Sequence, residues 1–168
     1  QVARQLKKPA VIGTTGLSEA QRAVILEAAT MIPIVLSPNM SVGVNLLFEL
    51  VELTAKRLGP NVDVEVVEAH HRAKKDAPSG TATRLAELIA RVRNQRPDAI
   101  PVHSVRAGDI VGDHVVVFAG PSERLELVHR AHSRDVFAQG ALKAAQFVRS
   151  QSPGLYDMSH VLKNVVST

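Results

Sequence analysis

The sequence contains no cysteine and no tryptophan, and only 3% of its 168 residues are aromatic. The absence of cysteine excludes disulfide bonds and Cys-ligated zinc or iron–sulfur sites, and it fits a cytoplasmic protein. With so few aromatic residues the core must consist of Val, Leu, Ile and Ala, which favours helices packed on a sheet. No apolar run approaches the roughly 18 residues that a membrane-spanning helix needs, and no secretory signal is recognisable. We therefore expect no membrane partner.

The net charge is +4, and the basic residues cluster at positions 70–75. Binding of nucleic acid usually combines clustered Lys and Arg with aromatic side chains on which bases stack, and such aromatic residues are missing. The sequence therefore argues against a nucleic-acid partner. A basic pocket for a small anionic molecule explains the cluster better.

The first third of the chain contains two tandem units of strand, loop and helix. The predicted strands are Pro9–Ile12 and Ile32–Leu36, the loops are Gly13–Gly16 and Ser37–Met40, and the helices run from Ser18 to about Thr30 and from Ser41 to Leu58. Short apolar strands that alternate with helices favour a parallel sheet, whose ligands bind at the carboxyl ends of its strands. The two loops are thus candidate cofactor contacts. The alternatives are that they are simple tight turns and that Met40 fills the core.

From Val62 onward the pattern changes to a half-buried strand, a charged segment and a third helix. Three further strands are predicted at about 102–106, 114–119 and 123–131, followed by a helix at about 135–149 and a short helix at Leu155–Leu162. Because turn signals separate these three strands closely, we expect them to pair antiparallel.

The charged segment 68–81 carries the strongest chemical signal. His70, Arg72 and Lys74 would share one face of a strand, with His71 and Lys75 on the other. The following helix begins near Gly80 and Thr81, where unpaired N–H groups and the helix dipole favour an anion. This combination predicts a small dicarboxylate as the ligand. The alternative is a solvated charged loop capped by Ser79. We expect no metal, since neighbouring side chains on a strand diverge and no further ligand is evident.

Several motifs resemble those of dihydrodipicolinate reductases. The segment from Glu68 to Ala82 is similar to the family signature E-x-H-H-x-x-K-x-D-x-P-S-G-T-A. Gly13–Gly16 resembles its G-T-T-G nicotinamide loop, Ser37–Asn45 its second cofactor loop, and Gly154–Met158 its C-terminal motif. The resemblance covers residues 10–162 in the order of the family.

The resemblance implies an activity and a set of site residues. The implied reaction is the reduction of 4-hydroxy-tetrahydrodipicolinate to tetrahydrodipicolinate by NADPH or NADH, in the biosynthesis of diaminopimelate and lysine. The implied catalytic residues are His70, which handles a proton, and Lys74, the general acid. The implied substrate-binding residues are His71, Ser79, Gly80 and Thr81. The implied cofactor-binding residues are Gly13, Thr14, Thr15, Ser37, Pro38, Asn39 and Met40.

The resemblance also implies an α/β fold in three segments. Residues 1–36 would be part of a Rossmann-like cofactor domain, residues 37–131 an α+β substrate domain with a mixed or antiparallel sheet, and residues 132–168 a return segment. A homotetramer is implied as well. The family's Gly-rich dinucleotide loop has no counterpart here, because the sole Gly-x-x-Gly of this kind is 13–16. We therefore expect a fragment of the enzyme, and the alternative is a non-catalytic anion-binding or assembly module.

Overall fold

The computed structural model describes the backbone of residues 1–165 and the side chains of residues 1–163. The helices are α1 (Val2–Gln5), α2 (Glu19–Ala29), α3 (Val42–Leu58), α4 (Gly80–Arg93), α5 (Asp135–Val148) and α6 (Met158–Val165). The strands are β1 (Ala10–Ile12), β2 (Pro33–Leu36), β3 (Asp63–His70), β4 (Val102–Arg106), β5 (Gly112–Ala119), β6 (Arg124–Ala131) and β7 (Gly154–Tyr156). None of the described helices is both long and apolar enough to cross a membrane.

The chain divides into two compact units. Unit 1 comprises Gln1–Asn45 together with the segment from Asp135 onward, and unit 2 comprises Leu46–Arg134. This division falls within α3, whereas the sequence places a domain boundary after Leu36. The three segments 1–36, 37–131 and 132–168 remain a prediction about functional domains.

Unit 1 contains a parallel sheet in the order β1-β2-β7, which confirms the parallel arrangement predicted for the first two strands. Ser18 is the N-cap of α2 and forms a capping box, in which its side chain accepts a hydrogen bond from the Gln21 backbone N–H. The predicted helix at Leu155–Leu162 is wrong at its start, because Gly154–Tyr156 instead pairs with β2 as β7 and the helix begins at Met158. Strand β7 has three residues, which is too short for the alternation of apolar and polar residues to identify it as a strand.

Helix α5 approaches the second predicted cofactor loop closely. A Cβ atom on Gly140 would overlap the backbone carbonyl of Met40. Met40 itself is buried in an apolar cluster of unit 1, together with Val35, Ala144 and Met158. The loop that contains Met40 is therefore held from one side by the core.

Unit 2 contains a mixed sheet in the order β4-β3-β5-β6. Strands β5 and β6 pair antiparallel as predicted, but β4 does not pair with β5. It lies parallel to β3 on the other edge, because α4 carries the chain across from β3 to β4. The connection from β4 to β5 then crosses the end of β3, where Ala107 N–H donates to the His70 carbonyl at 3.0 Å.

One apolar cluster forms the core of unit 2 and fixes which face of β3 is buried. It joins residues of both long helices with the sheet, namely Leu47, Val51, Ala55, Val64, Val66, Ala82, Leu85, Ala86, Ile89, Ala90, Ile100, Val116 and Phe118. Since side chains alternate along a strand, Glu68 and His70 lie on the same buried face of β3 as Val64 and Val66.

Candidate functional site

The charged segment leaves the sheet immediately after His70. Strand β3 ends at this residue, and the backbone N–H of Lys74 donates to the His71 carbonyl at 3.0 Å in the turn that follows. The predicted strand face shared by His70, Arg72 and Lys74 is therefore wrong, because the alternation of a strand does not extend to Lys74. His70 is buried, whereas Arg72 and Lys75 are exposed.

A carboxylate that the sequence interpretation overlooked organises this segment. Glu68 is fully buried, and its two oxygens face Arg106, which donates from Nη1 at 2.9 Å and from Nη2 at 2.7 Å. Its Oε2 also meets His70 Nδ1, and its Oε1 accepts from the Ser79 backbone N–H at 3.2 Å. Glu68 thus joins the end of β3, strand β4 and the start of α4.

The partners of Glu68 determine its charge. Burial raises the pKa of its carboxyl group, but hydrogen bonds from Arg106, Ser104 and His70 outweigh burial and lower the pKa to about 2. The pKa of the Arg106 guanidinium is raised in turn by its bond to Glu68. At neutral pH the site therefore contains a buried ion pair rather than a neutral acid.

His70 is held by the same carboxylate. Burial lowers the pKa of its imidazole, and the positive charges of Lys74 and Arg106 lower it further, against the opposing influence of Glu68. Its Nε2 lies next to Gly112, where a Cβ atom would come within 3.1 Å of that nitrogen. The ring is therefore neutral near pH 7, and one of its nitrogens is bound to Glu68.

His114 stands beside this pair on the same face of the sheet. It is directly opposite Glu68 on one side and opposite His129 on the other. Its ring packs edge-on against His70 with centroids 5.2 Å apart. Burial lowers the pKa of His114 to about 4, with contributions from the neighbouring His70 and His129. Its Nε2 lies 3.3 Å from Ser79 Oγ.

Ser79 forms the N-cap of α4, the role that the alternative interpretation of this segment gives it. Its side chain accepts from the Ala82 backbone N–H at 3.2 Å, and it is itself buried against Glu68 and His114. Gly80 and Thr81 follow in the first turn of the helix, where the dipole is positive. Contacts of Ser79 with Glu68 and His114 of the sheet thus fix the start of α4, which is the end of the helix that could hold an anion.

Lys74 is linked to this cluster through Asp76. Its Nζ donates to an Asp76 carboxylate oxygen at 2.8 Å, and the Asp76 backbone carbonyl accepts from Arg106 Nη2 at 2.6 Å. The hydrogen bond from Lys74 lowers the pKa of Asp76. The structure thus connects His70, Lys74 and Ser79 through Glu68, Arg106 and Asp76. His71 is half-buried, and it contributes its backbone carbonyl to the turn.

Unit 1 contains a second candidate site at the carboxyl ends of its three parallel strands. A cleft of about 330 Å³ is lined by Thr14, Thr15, Gly16, Leu17, Arg22, Leu36, Pro38, Leu155, Tyr156, Asp157 and His160. Three predicted cofactor residues, Thr14, Thr15 and Pro38, line this cleft, whereas Gly13, Ser37, Asn39 and Met40 are not among its lining residues.

The second predicted cofactor loop is braced internally. Ser37 Oγ donates to the Asn39 carbonyl at 2.8 Å, and Asn45 Nδ2 donates to the same carbonyl at 2.8 Å. A Cβ atom on Gly13 would lie 3.3 Å from Met40 Cγ, so the two predicted loops touch each other. These contacts give Ser37 and Met40 structural roles at the rim of the sheet.

Sequence inspection missed Glu68, Arg106 and His114 in unit 2 and Asp157 in unit 1. Asp157 immediately precedes α6, and its Oδ1 accepts from His160 Nδ1 at 2.7 Å. A signal for Glu68 was present, because the alternation of Val64 and Val66 places it on the buried face. Arg106 and His114 carried no such signal, since their positions depend on strand pairing.

Among the described residues, no group of three or more His, Cys, Asp or Glu side chains could hold a metal ion.

Comparison with protein families gives two matches. Residues 1–40 match the family model "Dihydrodipicolinate reductase, N-terminus", and residues 43–162 match "Dihydrodipicolinate reductase, C-terminus". Together the two matched segments take in all of the site residues described above.

Among curated proteins, the 4-hydroxy-tetrahydrodipicolinate reductase of Syntrophus aciditrophicus is 47% identical over 96% of this chain and 67% of its own length. That of Rubrobacter xylanophilus is 51% identical over 93% of this chain and 66% of its own length. A dipicolinate-bound dihydrodipicolinate reductase from Paenisporosarcina sp. TG-14 has a TM-score of 0.79 and 30% identity, over 93% of this chain and 65% of that one. The chain thus spans about two thirds of the length of these relatives.

Proposed function

Since the chain belongs to the dihydrodipicolinate reductase family, we propose that it supplies the substrate-binding and proton-transfer residues of a 4-hydroxy-tetrahydrodipicolinate reductase. The reaction consumes the substrate, NADPH or NADH and one proton, and it yields tetrahydrodipicolinate, the oxidised cofactor and water. The alternative of a non-catalytic module has no support among the relatives, which are named as enzymes.

One observation carries the proposal: a single buried carboxylate, Glu68, is bonded both to His70 and to Ser79 at the start of α4. Through Arg106 and Asp76 it also secures the segment that bears Lys74. A dicarboxylate needs two positive regions. The first turn of α4 at Gly80 and Thr81 provides one, and the basic segment with His71 and Lys74 provides the other. A relative of this chain has been solved with dipicolinate bound, a dicarboxylate of the same type.

Lys74 fits the role of the proton donor. Its side chain is only 22% exposed and its ammonium group is oriented by Asp76, so it can deliver a proton to a nearby atom of the substrate. His70 is neutral and has its Nδ1 bound to Glu68, so it is suited to accept a hydrogen bond or proton. We therefore assign the acid role to Lys74 and the acceptor role to His70.

The cofactor residues of unit 1 fit a nicotinamide dinucleotide. Thr14, Thr15 and Pro38 line a cleft at the carboxyl ends of parallel strands, the edge at which such sheets bind ligands. Gly13 and the 37–40 loop adjoin it through the contact with Met40. When bound, the cofactor would supply the hydride. The protein's own contribution is to hold the substrate and to place the proton.

Two further proposals follow from the family. The resemblance to this family implies a homotetramer, and we propose this assembly for the protein at the length of its relatives. We also propose a cytoplasmic location. Light scattering tests the assembly, because a tetramer has four times the mass of the chain.

Substitution of Lys74 tests the function most sharply. In the protein at the length of its relatives, we expect Lys74→Ala to lower kcat by about 10² to 10⁴, as is typical when a general acid is lost, with a much smaller rise in KM. The assay follows oxidation of NADPH and NADH in the presence of the substrate. Lys75→Ala is the matched control, because Lys75 is exposed and adjacent. A change within threefold for Lys74→Ala would remove this residue from catalysis.

A further inference from the structure

We propose that Glu68 is a positioning residue of the site, which holds the His70 imidazole with its proton on Nδ1 and leaves Nε2 as a hydrogen-bond acceptor. This inference rests on the proposed function, because it assigns a tautomer to a residue of that site. It starts from the position of Glu68 on the core-facing side of β3, where Val64 and Val66 precede it and where a carboxylate has no packing purpose.

The bonds of Glu68 determine which nitrogen of His70 carries the proton. An ionised carboxylate can only accept hydrogen bonds, and both oxygens of Glu68 already accept from Arg106. The contact with His70 Nδ1 is therefore satisfactory only if Nδ1 is protonated and donates. A neutral imidazole has one proton, so Nε2 must then carry the lone pair.

The surroundings of His70 oppose a second proton. The ring is buried, Lys74 and Arg106 add positive charge on one side, and the neighbouring imidazole of His114 lies edge-on at 5.2 Å. Glu68 opposes these influences, yet the pKa of His70 remains lowered overall. Because the Nε2 nitrogen is unprotonated, His70 can accept a hydrogen bond but has no proton to donate from that atom at neutral pH.

The residue next to Nε2 has no side chain. A Cβ atom on Gly112 would lie 3.1 Å from Nε2 and 3.4 Å from Cδ2, which is closer than ordinary contact. A larger residue at position 112 would therefore require the ring or the strand to shift by a few tenths of an ångström. Glycine here permits the ring orientation that the carboxylate selects.

The same carboxylate connects His70 to the helix that is proposed to hold the substrate. Its Oε1 accepts from the Ser79 N–H at 3.2 Å, while Ser79 caps α4. A change at Glu68 should therefore alter both the protonation pattern of His70 and the placement of Gly80 and Thr81. A purely structural ion pair would not require the first of these effects.

The wild-type chain can be tested directly by NMR. In the 168-residue protein labelled with ¹⁵N in its histidines, the two ring nitrogens of His70 are assigned with the help of a His70→Gln variant. We expect Nδ1 to be protonated and Nε2 unprotonated at pH 7. Protonation on Nε2, or a ring that carries both protons at pH 7, would overturn the inference. This measurement needs no reductase activity, so it can fail or succeed independently of the proposed function.

A pair of glutamate substitutions provides the second test. Glu68→Gln keeps the shape but removes the charge, whereas Glu65→Gln makes the same change on the exposed face of β3, where Glu65 bonds His103 at 2.8 Å. For Glu68→Gln we expect a mixture of His70 tautomers, a fall in kcat of about tenfold or more, and a low-pH limb of kcat/KM displaced to lower pH, because the charge that favours protonated His70 is gone. Glu65→Gln should leave all three unchanged. An unaltered tautomer and pH profile in Glu68→Gln would refute the proposal, whatever its effect on stability.

If Glu68→Gln does not fold, the variant Gly112→Ala provides the test of how the His70 ring is placed. This change leaves Glu68 and Arg106 intact and acts on the Nε2 side of the ring. We expect it to shift the ring relative to Glu68, which appears as an altered Nδ1 resonance, and to lower kcat more than it raises KM. An Nδ1 signal identical to that of the wild type would contradict the proposed placement of the ring.

Discussion

The sheet of unit 2 carries two pairs of glutamate and histidine, one on each face: Glu65 of β3 with His103 of β4, and Glu68 with His70, both of β3. Glu65 and His103 lie on the outer face with side chains 52% and 55% exposed, and they meet at 2.8 Å. Glu68 and His70 lie on the inner face with side chains 0% and 11% exposed. The residue types are identical, but only the inner pair also engages a guanidinium, a helix N-cap and a second imidazole.

The comparison shows what burial demands of a charged pair. A solvated pair needs no further partner, because water screens and hydrates it. A buried carboxylate has to be satisfied by several donors, and such a network is a poor source of net stability compared with apolar packing. Its presence in the core of unit 2 is therefore better explained by the site that it positions than by the fold that it supports.

Removal of the two carboxylates should have the most unequal effect. Glu68→Ala leaves the largely buried Arg106 without its partner, so we expect a loss of about 3–5 kcal/mol in the free energy of unfolding. Glu65→Ala should change it by less than about 1 kcal/mol, as is usual for an exposed pair. Urea unfolding followed by circular dichroism measures both. Equal losses in the two variants would show that burial does not separate the pairs.

Acid should lower the free energy of unfolding through His114, which lies beside the inner pair Glu68 and His70. Burial lowers the pKa of His114 from 6.5 to about 4, so below pH 6.5 the unfolded chain binds a proton that the folded chain resists. The free energy of unfolding should therefore fall by up to about 3 kcal/mol as the pH drops from 6.5 toward 4, and it should be constant above this window. Thermal unfolding at a series of pH values measures the effect.

The matched variants for this prediction are His114→Gln and His103→Gln. The first removes the buried imidazole and should reduce the pH dependence between pH 6.5 and 4, leaving only the part that His70 and His129 contribute through their own lowered pKa values. The second should preserve the whole dependence. At still lower pH, protonation of Glu68 should add a further loss, because its pKa is depressed from 4.5 to about 2. A pH dependence that is identical in all three proteins would contradict the role of His114.

A smaller effect is expected at the two serine N-caps. Ser79 caps α4 beside the inner pair and is buried, whereas Ser18 caps α2 in an exposed capping box. Replacement of an N-cap serine by alanine costs about 0.5–2 kcal/mol. We expect Ser79→Ala to lie at the upper end and Ser18→Ala at the lower end, because Ser79 also contacts His114. The same unfolding assay applies, and the reverse order would weaken the comparison.

Local patterns predicted most of the elements. The capping box at Ser18, the helix end at Leu58 and the strand positions in unit 2 follow from short-range signals, and the structure confirms them. Strand pairing was less accessible. Close spacing suggested that β4 pairs with β5, but β3 lies between them, since the crossover through α4 returns the chain to the far side of β3. That choice depends on contacts that are distant in sequence.

The same distinction between local signals and strand pairing applies to the residues of the candidate site. The segment from His70 to Thr81 is contiguous, so its composition and motif pointed to an anion site. Arg106 and His114 are separated from it by more than twenty residues and enter only through the register of β3 with β4 and β5. Glu68 lies within the same motif, but the motif alone indicates no role for it, because its bonds to Arg106 and to the Ser79 N–H form only when the strands and α4 come together.

Titration of the 168-residue chain with pyridine-2,6-dicarboxylate tests the central claim most directly, because the claim is that the Glu68-organised cluster forms a dicarboxylate site. Calorimetry should show binding with one site per chain in the wild type and in Glu65→Gln. Binding should be at least tenfold weaker in Glu68→Gln, because the lost charge weakens the bonds to Arg106 and to the Ser79 N–H that place the start of α4. Lys74→Ala should lower the affinity less, in line with the small rise expected in KM. Absence of binding by the wild type, or equal affinities in all four proteins, would contradict the account.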